Sequence, residues 1–254
     1  MGRNPKKKAL ACKSRSIYGF RVVREYLREK PHEIQTLYLL PSFSGTETEI
    51  LAQQANISIH YESPAFFTSL AQGGIHQGIA ASIGEFSYAN LRSILEKQKE
   101  LLLILDGILD PRNLGALLRT AEAVGVGGVI MSKDRSAALS AVVEKAAVGA
   151  TAYLSICRVE NLARSLDAVK SAGYWIVGLV PDAQLTLYDL DFPEKIAVLL
   201  GGEGKGLRFL TKQRCDFLVA LPMEGNIQSL NVSVAGAVTL YEFLRRKISK
   251  KSFK

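Results

Sequence analysis

Three glycine-bearing turns, each directly after an apolar run, hold most of the side chains in this chain that could do chemistry. The first, LDGILDPRNLGALLRTAEAVG at residues 105–125, breaks at Asp110 and Pro111 and then opens a helical stretch at Asn113. That stretch carries Arg119 among Ala116, Leu117, Leu118 and Ala121. A guanidinium in so apolar a helix is expected to be paired or functional, because an unpaired buried charge is costly. The second turn is VLLGGEGKGL at residues 198–207. Glycines such as Gly201 let backbone approach a flat or bulky ligand closely, and Glu203 is the one charge expected to face it. In the third, LPMEGNIQSLNVSVAGAVTLYEF at residues 221–243, a polar loop from Leu221 carries Gly225, Asn226, Gln228, Ser229, Leu230 and Asn231 into an apolar helix. Ser229 is the expected N-cap of that helix.

Two familiar phosphate-binding chemistries are excluded. Gly204 and Lys205 are followed by Gly206 rather than Ser or Thr, so the second turn is not a Walker loop, and its glycines do not match a dinucleotide fingerprint. A nucleotide-dependent dehydrogenase or NTPase therefore lacks its signature. His76, set between glycines in GGIHQG, could be a base or a metal ligand, but no second His, Cys or carboxylate cluster accompanies it. A structural or RNA-contacting role is the expectation there.

The elements that must position these turns fall into two halves. Residues 17–30 show helical spacing at Phe20, Val23 and Leu27, stopped by Pro31. Strand-like and helical segments then alternate to a strand at residues 79–83, which makes a compact α/β unit. Residues 85–100 turn polar and read as a linker with at most a helical turn. From residue 101 onward, continuous apolar runs (LLLIL, GGVIM, WIVGLV, IAVLLG, FLVAL) alternate with helical stretches. Strands of that kind are buried on both faces, so this half is expected to be a parallel sheet flanked by helices, with ligands at the carboxyl ends of its strands. The closing helix, residues 232–244, is apolar on most of its circumference and is expected to be buried on two sides.

Bulk composition adds bounds. At 254 residues with 48% hydrophobic content, the chain can bury one large or two modest cores. No run of eighteen apolar residues and no apolar signal region after the basic N-terminus is present, so the expectation is a soluble, intracellular protein without a membrane partner. Cys12, Cys157 and Cys215 fit free thiols and no metal site. The net charge of +8 is uneven: residues 1–15 and 244–254 carry twelve basic side chains and no acidic ones, leaving 20 basic against 24 acidic in the body. Basic arms on a nearly neutral body suit phosphate backbones, although solubilising tails have the same composition.

Taken together, the three turns closely resemble the three motifs of the SpoU/TrmH family of RNA ribose 2′-O-methyltransferases, in the knotted SPOUT class. The likeness covers residues 101–247. IYGFRVV near Ile17 and HQG at His76 resemble the small RNA-binding domain of the subgroup that methylates a guanosine of large-subunit ribosomal RNA. The resemblance implies a basic arm at 1–15, an α/β substrate-RNA-binding domain at 16–84, a linker at 85–100, a methyltransferase domain with a trefoil knot at 101–247 and a basic tail at 248–254. It implies S-adenosylmethionine as cofactor, held by backbone around Gly201, Leu221 and Leu230. It places Asn113, Arg119, Glu203, Ser229 and Asn231 at the active-site polar positions. It further implies a cytoplasmic homodimer with its active sites near the subunit interface. The alternatives are a transfer-RNA ribose methyltransferase and a non-catalytic RNA-binding factor of the same fold.

Overall fold

Gly19, at φ 94°, is where the chain first changes from strand to helix. The computed structural model describes residues 15–204 and 206–252, so the expectations for the arm at residues 1–14, for Cys12 and for Lys205 lie outside the described residues. The chain divides into two units, Met1–Ser87 and Tyr88–Lys254.

In the first unit, β1 (Arg15–Tyr18) precedes α1 (Phe20–Glu29), so Ile17 and Tyr18 are strand rather than the helix start that their apolar spacing implies. A glycine with positive φ ends a strand more cheaply than it begins a helix turn, and that feature outweighs the periodicity. There follow β2 (Ile34–Leu39), α2 (Glu47–Gln54), β3 (Ser58–Tyr61), α3 (Pro64–Ala71) and β4 (Ile79–Ile83). The sheet order is β1-β4-β2-β3, with β2 and β3 parallel and the other pairs antiparallel. Val22, Val23, Tyr26 and Leu27 form the buried face of α1. The GGIHQG loop is locked from within. His76 stacks on Phe67 with ring centroids 5.5 Å apart and accepts the Gly78 N–H at Nδ1, while Gln77 Oε1 accepts the Phe20 N–H at 3.1 Å. Gln77 thereby supplies the side-chain partner that Gly19 cannot give to the first turn of α1.

The second unit opens with α4 (Leu91–Glu96), whose Ile94 is buried in this unit's core, and the Ala89 N–H bonds to Ile156 O. Much of the stretch expected to be a linker is thus packed structure. Then come β5 (Leu101–Asp106), α5 (Pro111–Val124), β6 (Val129–Ser132), α6 (Ala141–Ala147), β7 (Ile156–Val159) and α7 (Leu162–Ser171). The chain continues through β8 (Trp175–Leu179), β9 (Leu185–Thr186), β10 (Ile196–Gly201), α8 (Phe209–Lys212), β11 (Phe217–Ala220) and α9 (Val232–Ser252). The sheet order is β7-β6-β5-β10-β8-β11-β9, and every pairing is parallel. Every residue of β5 is buried, as continuous apolar strands require when helices cover both faces. Leu199 joins the core under α4 and α7, whereas its neighbour Leu200 meets Gly236 of α9 on the other face.

The chain leaves β5 towards β6 and β7 and later returns to lay β10 on the other side of β5. That reversal is the switch point at which doubly wound sheets open a ligand crevice. The register pairs Gly201 with Asp106, bringing the first and second glycine turns side by side at the carboxyl edge. The third arrives there because α9 packs on β10 and α5 at Gly236, where a Cβ would collide with Leu117 and Leu200. α9 also runs beyond residue 244 to Ser252, so part of the C-terminal basic segment is helical.

Candidate active site

A cavity of about 530 Å³ lies at the carboxyl ends of β8, β10 and β11, within the range of small-molecule sites. Its walls are Leu179, Val180 and Pro181 at the end of β8, Gly201, Gly202, Glu203, Gly204 and Gly206 at the end of β10, and Leu221, Met223 and Gln228 through Val232 before and into α9. Gly201, Leu221 and Leu230 are all among the lining residues. The glycine turn is so tight that a Cβ on Gly201 would strike the Gly206 and Leu207 backbone, and one on Gly202 the Gly107 backbone. Only glycine at both positions keeps the turn folded against the first loop.

Beside the cavity, three of the sequence-predicted polar residues form one chain of hydrogen bonds. Asn113 Nδ2 donates to Glu203 Oε1 at 2.8 Å, and Asn231 Nδ2 donates to Asn113 Oδ1 at 3.0 Å. Asn231 Oδ1 accepts the Ser233 N–H at 2.8 Å and the Ser233 hydroxyl at 2.6 Å. Asn231, not Ser229, is therefore the N-cap of α9; Ser229 stands free of the cap and lines the cavity. Likewise Asp110, not Asn113, caps α5 by accepting the Arg112 N–H at 2.7 Å, which leaves the Asn113 side chain available to bridge Glu203 and Asn231. In both cases two cap-competent residues lie close together, and spacing alone does not choose between them.

Burial pushes the Glu203 carboxyl up, but hydrogen bonds from Asn113 and from the backbone N–H groups of Leu109, Asp110 and Glu203 itself outweigh it and hold the group below the ordinary range. The Leu109 N–H reaches Glu203 Oε2 at 3.2 Å. These donors are neutral, and among the described residues no cation pairs with Glu203. It is also the one ionisable side chain among the described residues that line the cavity. Among the described residues the site offers backbone, amides, a hydroxyl and one unspent negative charge, and no nucleophile with an adjacent base. It can bind and orient a ligand that brings its own reactivity.

Arg119 departs from its expectation. The buried face of α5 is Leu114, Gly115, Leu117, Leu118, Ala121 and Val124, and Arg119 shares the opposite, exposed face with Arg112. It neither lines the cavity nor forms a hydrogen bond or ion pair among the described residues. Its apolar sequence neighbours are the far side of the helix, so it bears no burial cost to be offset by a partner.

Sequence reasoning passed over Asp106, at the end of β5. It is fully buried and bonded to Arg208 and Thr211, at the far end of the glycine turn. The signal was a lone carboxylate closing an apolar strand.

The chain matches the SpoU rRNA Methylase family over residues 100–241 and the RNA 2′-O ribose methyltransferase substrate binding family over residues 16–89. It is 41% identical over 242 residues to the 23S rRNA (guanosine-2′-O-)-methyltransferase RlmB of Neisseria meningitidis serogroup B, covering 93% of this chain and 97% of that one. Its fold matches the AdoMet-bound rRNA methyltransferase of Sinorhizobium meliloti with a TM-score of 0.78 at 23% identity, covering 92% of this chain and 87% of that one. It also matches the SpoU methyltransferase AviRb of Streptomyces viridochromogenes in complex with AdoMet, with a TM-score of 0.78 at 21% identity, covering 93% and 91%.

Proposed function

The chain belongs to the SpoU rRNA methylase family, and from that membership we infer that it transfers a methyl group from S-adenosylmethionine to the ribose 2′-hydroxyl of a guanosine in 23S ribosomal RNA. The observation that carries this reading is the cavity at the switch point, where a turn with no room for a side chain at Gly201 or Gly202 meets an ionised carboxylate that has no cation among the described residues. That donor set fits a cofactor with a cationic methionine end. Bound there, S-adenosylmethionine supplies an already activated methyl group, so the chain's own contribution is mainly positioning.

Backbone around Gly201, Leu221 and Leu230 holds the cofactor in this reading. Glu203, fixed by Asn113, meets the positive methionine end, and Asn231 and Ser229 orient the groups beside it. Arg119 faces the RNA. Guanidinium groups are poor bases in general, so its role here is electrostatic: it stabilises the developing alkoxide while the proton passes to phosphate or water. The first unit takes the RNA, aided by the basic termini through contacts with the phosphate backbone.

The protein acts as a cytoplasmic homodimer with a trefoil-knotted second unit in the same reading. Support for dimerisation comes from α9. Ala235, Leu240 and Phe243 are buried on one side, whereas Val234 and Tyr241, seven residues apart, are 48% and 52% exposed on the other. The side expected to be buried is open in the single chain, and a second copy is the natural cover. Tyr241→Asp is expected to lower the sedimentation mass at micromolar concentration, and an unchanged mass removes α9 from the interface.

The deciding experiment maps ribose methylation in ribosomal RNA from cells lacking this protein, where one guanosine of 23S rRNA should lose its 2′-methyl group. In parallel, S-adenosylmethionine at a hundred times its Kd should stabilise the purified protein by about 2.7 kcal/mol, while NAD and ATP should not. Full methylation in those cells, or no stabilisation by saturating cofactor, refutes the reading.

A further inference from the structure

We propose that Asp106 is a positioning residue for cofactor binding, clamping the glycine turn of residues 201–206 closed through Arg208 and Thr211. The inference rests on the reading of the adjoining cavity as the S-adenosylmethionine site.

Asp106 ends the apolar run LLLILD, and its side chain is 0% exposed. A carboxylate so placed is costly unless its oxygens are bonded and its charge is met. Oδ2 accepts the Thr211 hydroxyl at 2.6 Å and the Arg208 N–H at 3.2 Å. Oδ1 lies 3.1 Å from Arg208 Nε, an ion pair whose N–H is not aimed at the oxygen. The Asp106 main-chain carbonyl accepts the Gly202 N–H at 2.9 Å. One residue thus ties both ends of the turn: the carbonyl holds the chain as it leaves β10, and the carboxylate holds it as it enters α8. Between them the Gly206 N–H closes the turn on Gly202 O at 3.1 Å.

Four of the six residues from Gly201 to Gly206 are glycine, and Gly204 and Gly206 have positive φ. Such a segment has much conformational freedom to lose, and ordering it at the moment of binding would be charged against affinity. The clamp orders it beforehand. It also fixes Glu203 opposite Asn113, because Glu203 sits within the tied segment. Arg208 spreads the effect, since its Nη2 donates to Asp134 O at 3.4 Å in the loop after β6 and lies beside Gly107 in the loop after β5. An amide cannot replace the carboxylate: its NH2 would face either two donors or a guanidinium.

The test compares Asp106→Asn, Thr211→Val and Thr211→Ser in the full chain by calorimetric S-adenosylmethionine binding and by amide exchange at Gly202 and Gly206. Glu242→Gln, remote from the cavity, serves as the stability control. Asp106→Asn and Thr211→Val are expected to weaken cofactor binding about tenfold or more, the scale of a lost hydrogen bond to a charged group, and to speed exchange at both glycines. Thr211→Ser keeps the hydroxyl and should bind within about threefold of the parent. The control should lower Tm and leave Kd unchanged. If Asp106→Asn and Thr211→Val lower Tm but bind cofactor normally, Asp106 is structural ballast and the proposal is wrong. Should Asp106→Asn not fold, the Thr211 pair decides. A parent protein that binds no S-adenosylmethionine sinks the functional reading instead, and the exchange rates still show whether the clamp exists.

Discussion

Two glutamates of the second unit are both held below the ordinary carboxylate range, by opposite means. At Glu242 the hydrogen bond from Arg245 is the largest cause; burial opposes it, Arg246 adds to it, and the carboxyl falls to about 2. Arg246 is itself fully engaged, donating to Leu190 O and Tyr188 O at 2.6 Å each and lying 4.4 Å over the Phe192 ring. At Glu203 burial is the largest cause and pushes upward, and only neutral donors bring the group down. The first charge is spent within the fold. The second is held ionised with no cation beside it among the described residues, which fits a place where a cation is to arrive from outside. Arg119 is the mirror image on α5, a cation with no partner among the described residues. Of the two glutamates, the one without a cation among the described residues borders the cavity, and the paired one ties α9 through Arg246 to the segment at residues 188–190.

If that distinction holds, substitutions at the unspent charges should cost activity more than stability. The largest effect is expected at Arg119. Arg119→Lys keeps the charge but loses the planar fork, and single-turnover methyl transfer should fall about a hundredfold or more, comparable to removing a preorganised oxyanion donor. Cofactor affinity, read by calorimetry, should hold, because Arg119 does not line the cavity. Near-normal transfer would make the exposed guanidinium a solvated surface group.

Glu203→Gln should come next. The amide keeps the shape, removes the charge and turns an NH2 towards Asn113 Nδ2 or the Leu109 N–H. S-adenosylmethionine binding is expected to weaken about tenfold, and the cofactor-free protein should also lose some Tm, because donors that faced the carboxylate are left unmatched. The pH dependence sharpens the point. A carboxyl held below the ordinary range keeps its charge to lower pH than a free glutamate does, so any acid limb that Glu203 places on parent activity should lie lower than an unperturbed glutamate would put it. An acid limb that disappears in Glu203→Gln and whose midpoint lies above the ordinary glutamate range would show that the carboxyl is not held down.

The same contrast explains how far the sequence could be read. Period and run length expose packing, so the all-parallel sheet of the second unit, with β5 buried throughout, was legible from its uninterrupted apolar strands. The glycine turns were legible because tight approach leaves few alternatives to glycine. What composition hides is direction. Arg119 reads as embedded because Leu117 and Leu118 precede it, yet the helix turns it to the open face. Ser229 and Asn231, and Asp110 and Asn113, are equally good caps on paper; only the packed structure assigns Asn231 and Asp110 to capping and leaves Asn113 to bridge. Asp106 was invisible for a different reason, since its partners Arg208 and Thr211 lie about a hundred residues away along the chain. β1 was lost to the helical spacing that runs through Gly19.

The spent charge should behave in reverse. Glu242→Gln breaks the double hold of Arg245, whose Nε and Nη2 lie 2.7 and 2.9 Å from the carboxylate, and of Arg246, at 2.6 Å. The Glu242 side chain is 7% exposed, while those of Arg245 and Arg246 are 64% and 22% exposed, so water screens part of the pairing. The expected cost is about 1–2 kcal/mol, between an exposed pair and a buried one, or a few degrees in Tm. A folded-state pKa depressed from 4.5 to about 2 gives stability that is present in full above 4.5 and lost as pH falls towards 2. The difference in denaturant midpoint between the parent and Glu242→Gln should therefore be constant at neutral pH and shrink between about pH 4.5 and pH 2. Methyl transfer and cofactor affinity at neutral pH should match the parent. A variant with normal Tm but weakened cofactor binding would reverse the assignment, making Glu242 part of the site and leaving exposure of charge no guide to its use.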